Sequence, residues 1–134
     1  MKSPEEVRRD LVAQWSAKAE LDFDTAVHLL TAGGRFGEVV AFHSQQAVEK
    51  YVKALLVQFQ ISFPKTHDLG RLLDSLASHD AQLADALREV EVLTPFGVEG
   101  RYPGDFPELL AGEARDALEL ARRAGALIRT RLPA

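Results

Sequence analysis

The chain has 134 residues, 46% of them hydrophobic, no cysteine and a formal net charge of -4. That length and composition fit one domain, residues 1–134, around one core, and the acidic balance excludes a protein that grips nucleic acid by overall charge, although a local basic patch stays open. Without cysteine there is no disulfide framework or thiolate metal site, and the sequence has neither the basic-then-apolar order of a signal peptide nor an apolar run long enough to span a bilayer, so a cytoplasmic protein without membrane association is expected.

Five segments read as helices. The first opens on Ser3-Pro4-Glu5-Glu6, with a serine cap, a proline in the first turn and a glutamate three residues after the cap, which together supply partners for orphan amides. It continues through Leu11, Trp15, Ala19, Ala26 and Leu30, spaced to share one face, and stops at Gly33-Gly34.

The second segment runs from about Phe36 to Gln60. At about 100° per residue, Val40, Ala47, Val48, Tyr51, Val52, Leu55 and Phe59 fall on one broad arc, which must face a core. His43, Gln46, Lys50 and Lys53 fall together on the opposite arc, a compact polar stripe of side chains able to contact an anion. Gln45 projects into the apolar arc, where an amide must find buried hydrogen bonds.

After Ile61-Ser62-Phe63-Pro64, Thr66 reads as the cap of a short helix carrying Leu69, Leu72, Leu73 and Leu76. Ser78-His79-Asp80 reads as a turn. A fourth helix carrying Leu83, Leu87, Val90 and Leu93 is expected to end near Pro95, and Phe96 to Pro103 is too rich in glycine and proline for regular structure. The last helix is expected to start at Asp105, with Glu108 completing a capping box, and to run through Leu110, Ala114, Ala117, Leu118, Ala121 and Ile128. Ala117, Ala121, Ala124 and Gly125 permit a close approach, either a crossing inside the chain or a dimer seam. Arg115, Arg122 and Arg129, interleaved with Asp116 and Glu119, read as a solvated face. No segment alternates as a strand would, so the class is all-α, an up-and-down bundle of antiparallel helices.

The run Phe42-His43-Ser44-Gln45-Gln46-Ala47-Val48-Glu49-Lys50-Tyr51-Val52-Lys53-Ala54-Leu55-Leu56, followed by Lys65-Thr66-His67-Asp68-Leu69, resembles the core signature of prokaryotic HEPN domains. Arg101-Tyr102-Pro103 is similar to the loop before the last helix in the same proteins. The resemblance spans almost the whole chain and implies a five-helix bundle of HEPN type that commonly forms a homodimer. Such proteins are often encoded beside a minimal nucleotidyltransferase and are discussed as toxin-antitoxin pairs or nucleotide-binding modules. Many are metal-independent ribonucleases that use an arginine and a histidine a few residues later, near the start of the last helix. Here residues 101–108 contain no histidine, and Arg35 and His43 lie on the wrong helix. Metal-free cleavage needs a group that exchanges a proton near neutrality, so no catalytic residue is assigned and binding is the expected role.

The expected ligand-binding set is His43, Gln46, Lys50, Lys53, His67, Arg101 and Tyr102, towards a nucleotide or RNA. The lysines would act as point charges, the amide and imidazoles as hydrogen-bond donors, and Arg101 with Tyr102 as a bidentate phosphate contact and a stacking ring. For each, a bland reading stands beside this one: a solvated helix face with Glu49 and Lys53 as an i,i+4 pair, His67 fixing a turn, Arg101 paired with Glu99 or Asp105. The four histidines show no paired ligand spacing, so neither a metal nor a cofactor is expected. Two further functions stay open: a ribonuclease toxin with a variant site drawn from His43, His67 and Arg101, and a purely structural helical subunit.

Overall fold

A computed structural model describes residues 1–97, 109 and 111–133. Five α-helices are present among them: α1 (Pro4–Ala32), α2 (Gly37–Gln58), α3 (Leu69–Ala77), α4 (Ala81–Leu87) and α5 (Ala111–Arg129). Gly34–Phe36 and Arg88–Gly97 form 3-10 turns, and no strand occurs among the described residues.

The predicted capping box at the start of α1 is present: the Ser3 hydroxyl accepts from Glu6 N at 3.1 Å and the Glu6 carboxylate accepts from Ser3 N at 3.1 Å. The helix ends at Gly33, whose φ of +139° a side chain would strain. Its buried stripe departs from the expected one. Val12, Ala19, Asp22 and Ala26 are buried, whereas Leu11 is 42% exposed. The reason is that α1 is an outer helix packed mainly on α2, which leaves Val7, Leu11, Leu21 and Val27 on its far side partly or largely in solvent.

α2 is the central helix. Fourteen of its 22 residues are buried, so its polar side chains have to find partners within the protein. The expected apolar arc is in place, with Val40, Ala47, Val48, Tyr51, Val52 and Leu55 at most 1% exposed and Phe59 packed at the margin. Gln60 ends the helix in the left-handed region at φ +58°, and Ile61 N returns to Leu56 O at 2.9 Å, a Schellman-type closure.

α3 places all four predicted leucines in the core. Its cap is Asp68 rather than Thr66: the Asp68 carboxylate accepts from Arg71 N, while the Thr66 hydroxyl accepts from Asp68 N and shapes the approach. Asp80 caps α4, and the Leu83 amide holds its carboxyl below the ordinary range, helped by Arg131. The expected stop at Pro95 is corrected. The α-helix ends at Leu87, and a 3-10 helix carries on through Pro95 to Gly97. Leu87, Val90, Leu93 and Phe96 recur every third residue, the repeat that lines one edge of a 3-10 helix. Thr94 accepts from Leu69 N and ties this segment to the start of α3.

Ala114, Ala117, Leu118, Ala121 and Ile128 of α5 are buried as expected; the expected start at Asp105, with Glu108 and Leu110, lies outside the described residues. The alanine-rich face packs inside the chain. Ala121 and Ala124 belong to the main core, and a Cβ on Gly125 would stand 2.9 Å from Cε2 of Tyr51. Tyr51 is itself 1% exposed and its hydroxyl accepts from Arg129 at 2.7 Å; burial pushes the phenol's pKa up, with Arg129 opposing. Gly125→Ala is therefore expected to destabilise by roughly 1–2 kcal/mol, because overpacking a rigid ring outweighs the ~1 kcal/mol gained in helix propensity. A denaturant midpoint that rises instead would show that Tyr51 can move aside.

Candidate functional site

The polar stripe of α2 faces neither open solvent nor an empty cleft. It is organised by two carboxylates, one at each edge. At the α1 edge, Asp22 is 9% exposed. One of its oxygens receives His43 Nδ1 at 2.8 Å and the other receives the Lys50 ammonium. At the α3 edge, Glu49 is 3% exposed. Its Oε1 receives His67 Nδ1 at 2.9 Å and Gln45 Nε2 at 3.2 Å, and its Oε2 receives Lys53 Nζ at 3.0 Å.

Gln45 uses its whole amide. Nε2 also donates to the His67 carbonyl at 3.2 Å, and Oε1 accepts from Gln46 Nε2 at 2.7 Å. Its expected structural role holds, and it explains Gly97: a Cβ there would lie 2.7 Å from Cδ of Gln45, so the backbone leaving the 3-10 helix rests directly on the network. Leu109, on the other side of the connection, packs beside Gly37 at the start of α2. Gly97 and Leu109 thus both rest on the first half of α2. No buried side-chain nitrogen or oxygen among the described residues lacks a partner.

Each carboxylate, when ionised, only accepts, so each imidazole carries its proton on Nδ1 and presents Nε2 outward. The His43 side chain is 24% exposed and that of His67 is 62% exposed. For Nε2 of either ring no partner occurs among the described residues. The lysines differ from expectation in availability: Lys50 is 22% exposed along its side chain, and Lys53 is 10% exposed, with its ammonium 5.4 Å from the centroid of Trp15. The Glu49–Lys53 i,i+4 pair exists, but as a buried pair rather than a solvated one.

His43, Gln46, Lys50 and Lys53 therefore share one helix as predicted, and His67 joins them through Glu49. Arg101 and Tyr102 lie outside the described residues. Sequence reasoning missed Asp22 and underrated Glu49. The signal for Asp22 was present: an acid at the third place of the otherwise apolar series Trp15, Ala19, Asp22, Ala26 has to be paired. Among the described residues no group of three His, Asp or Glu side chains is placed to hold a metal ion, and no helix is long and apolar enough to cross a membrane.

A helical bundle whose central helix carries this glutamine-glutamate-lysine network, closed by a histidine from the following turn, defines a small all-α module. The family model of the HEPN domain matches residues 12–130. The chain belongs to the HEPN family, a class of helical modules related to nucleotides and RNA. No curated protein and no solved structure matches it.

Proposed function

We propose that the chain is a binding module, a single cytoplasmic HEPN domain over residues 1–134. In this reading it dimerises and works with a minimal nucleotidyltransferase in a toxin-antitoxin-like pair, holding a nucleotide or RNA against the polar face of α2. The observation that carries this reading is the preorganised face itself. His43, Gln46 and His67 are each held by hydrogen bonds to the buried network and remain partly open to solvent, and fixed donors lose little entropy on binding. Arg101 and Tyr102 enter the proposal from the sequence, through the connection anchored at Gly97 and Leu109. The alanine face of α5 is occupied within the chain, so the dimer seam has to use another surface.

Thermal unfolding of wild type and Arg101→Ala against nucleotides and short RNAs tests the ligand. A ligand at 100 times its Kd adds about 2.7 kcal/mol, so a bound nucleotide is expected to raise the wild-type midpoint and to raise that of the variant much less. Light scattering with size exclusion tests the assembly. A monomer that forms no complex with the nucleotidyltransferase would sink that part.

One observation favours a second reading, a ribonuclease with a variant site. A carboxylate-held imidazole is the form a general base takes, and two occur here. Intact labelled RNA after prolonged incubation with the dimer, while a control ribonuclease cleaves it, would exclude this reading.

A further inference from the structure

The charge balance of the α2 face has a direct chemical meaning. Asp22 and Glu49 are each in contact with one lysine, Lys50 and Lys53 respectively, so with neutral imidazoles the four charges cancel. An incoming anion would compete for either lysine with a carboxylate already in contact. What remains to set the sign of the face is the pair of imidazoles, each neutral or cationic according to whether Nε2 also carries a proton. A neutral ring held through Nδ1–H turns a lone pair outward at Nε2 and offers an anion nothing. A protonated ring keeps its bond to the carboxylate and turns an N–H outward. Around α2, at about 100° per residue, Gln46 falls between the Asp22–His43 edge and the Glu49–His67 edge, with its amide tethered to Gln45.

We propose that this face is a proton-gated anion site, in which the outward Nε2–H groups of His43 and His67 and the Gln46 amide between them hold a phosphate-bearing ligand. Lys50 and Lys53 serve to neutralise the carboxylates that orient the rings. The inference rests on the binding reading above and narrows it to a polyanion taken up on protonation. Among the described residues, Lys65 and Arg71, close to His67 in the chain, are exposed and have no side-chain partner, whereas other charged groups nearby are engaged elsewhere. Asp68 caps α3 through Arg71 N, Arg88 of the 3-10 helix bonds Asp74 with Glu91 beside it, and Arg129 of α5 is bound to Tyr51 on another side of α2. From α1, Asp22 is the charged group in contact with His43.

Sulfate is the suitable probe, since its charge is constant across the range in which imidazole titrates. Thermal midpoints would be measured with sulfate and with chloride at matched ionic strength, near pH 6 and near pH 8. Sulfate is expected to bind about tenfold or more tightly at the lower pH. The dependence is expected to vanish in His43→Gln/His67→Gln, which also measures the non-specific stabilisation that sulfate gives any fold. Should the variant fail to fold, a sulfate titration of wild type at the lower pH is followed by the imidazole ring-proton resonances, of which those of His43 and His67 are expected to move. Equal sulfate affinity at the two pH values, or ring resonances that sulfate leaves unmoved, overturns the gating. Sulfate decides the gating and the nucleotide panel decides the binding reading, so a nucleotide that binds equally at both pH values would overturn the first and leave the second standing.

Discussion

Glu49→Ala is expected to cost ~3–5 kcal/mol, more than any other single change on the α2 face, as read from a urea or guanidinium midpoint. Glu49 is 3% exposed and accepts three side-chain donors. Truncation leaves the largely buried Lys53 ammonium beside Trp15 without its counter-charge. It also leaves Gln45 with one bond fewer beside Gly97. His67 suffers least, because its ring is mostly exposed and water can take over. Glu49→Gln keeps the shape and part of the acceptor capacity, so it should cost distinctly less than alanine. Equal losses in the two variants would mean that the charge, which both remove, dominates the site and that packing volume adds little.

Asp22→Ala comes next, at roughly 2–3 kcal/mol. It lies below Glu49→Ala because Lys50 is more exposed than Lys53 and its long stem can carry the ammonium to water. The more telling variant is Asp22→Asn. It keeps an oxygen for His43 Nδ1–H and removes the charge that balances Lys50, so the face gains one positive charge wherever Asp22 would be ionised. Asp22→Asn is therefore expected to bind sulfate near pH 8 more tightly than wild type while losing some stability. A loss of both would show that Asp22 acts by holding α1 against α2 and not by setting charge.

The helices of this protein were largely legible in its sequence, because strong periodic patterns and caps are local. Ser3 with Glu6, the arc from Val40 to Leu55, and the leucines of α3 all behave as their spacing requires. What escaped was settled by neighbours. Leu11 and Val12 are adjacent and both apolar, and only the angle at which α1 meets α2 decides which is buried. Thr66 and Asp68 can both cap a helix, and the one whose backbone enters the first turn wins. Pro95 ordinarily stops an α-helix, but the spacing of three from Leu87 to Phe96 already belonged to another helix type. In the site, the stripe itself was visible from 100° arithmetic, whereas the pairing of Lys50 with Asp22 joins residues 28 positions apart, and no local pattern carries that information.

Trp15 gives the molecule an optical handle of its own. It is the chain's one tryptophan, and a positive charge sits over its indole face from the lysine that completes the Glu49 pair. Emission from this protein therefore originates at a single seam, next to the groups proposed to sense protons and anions. A disturbance of that pair moves a cation relative to the excited ring, so ligand arrival, partner docking and local opening can be followed in the unlabelled protein at equilibrium or in a stopped-flow mixer.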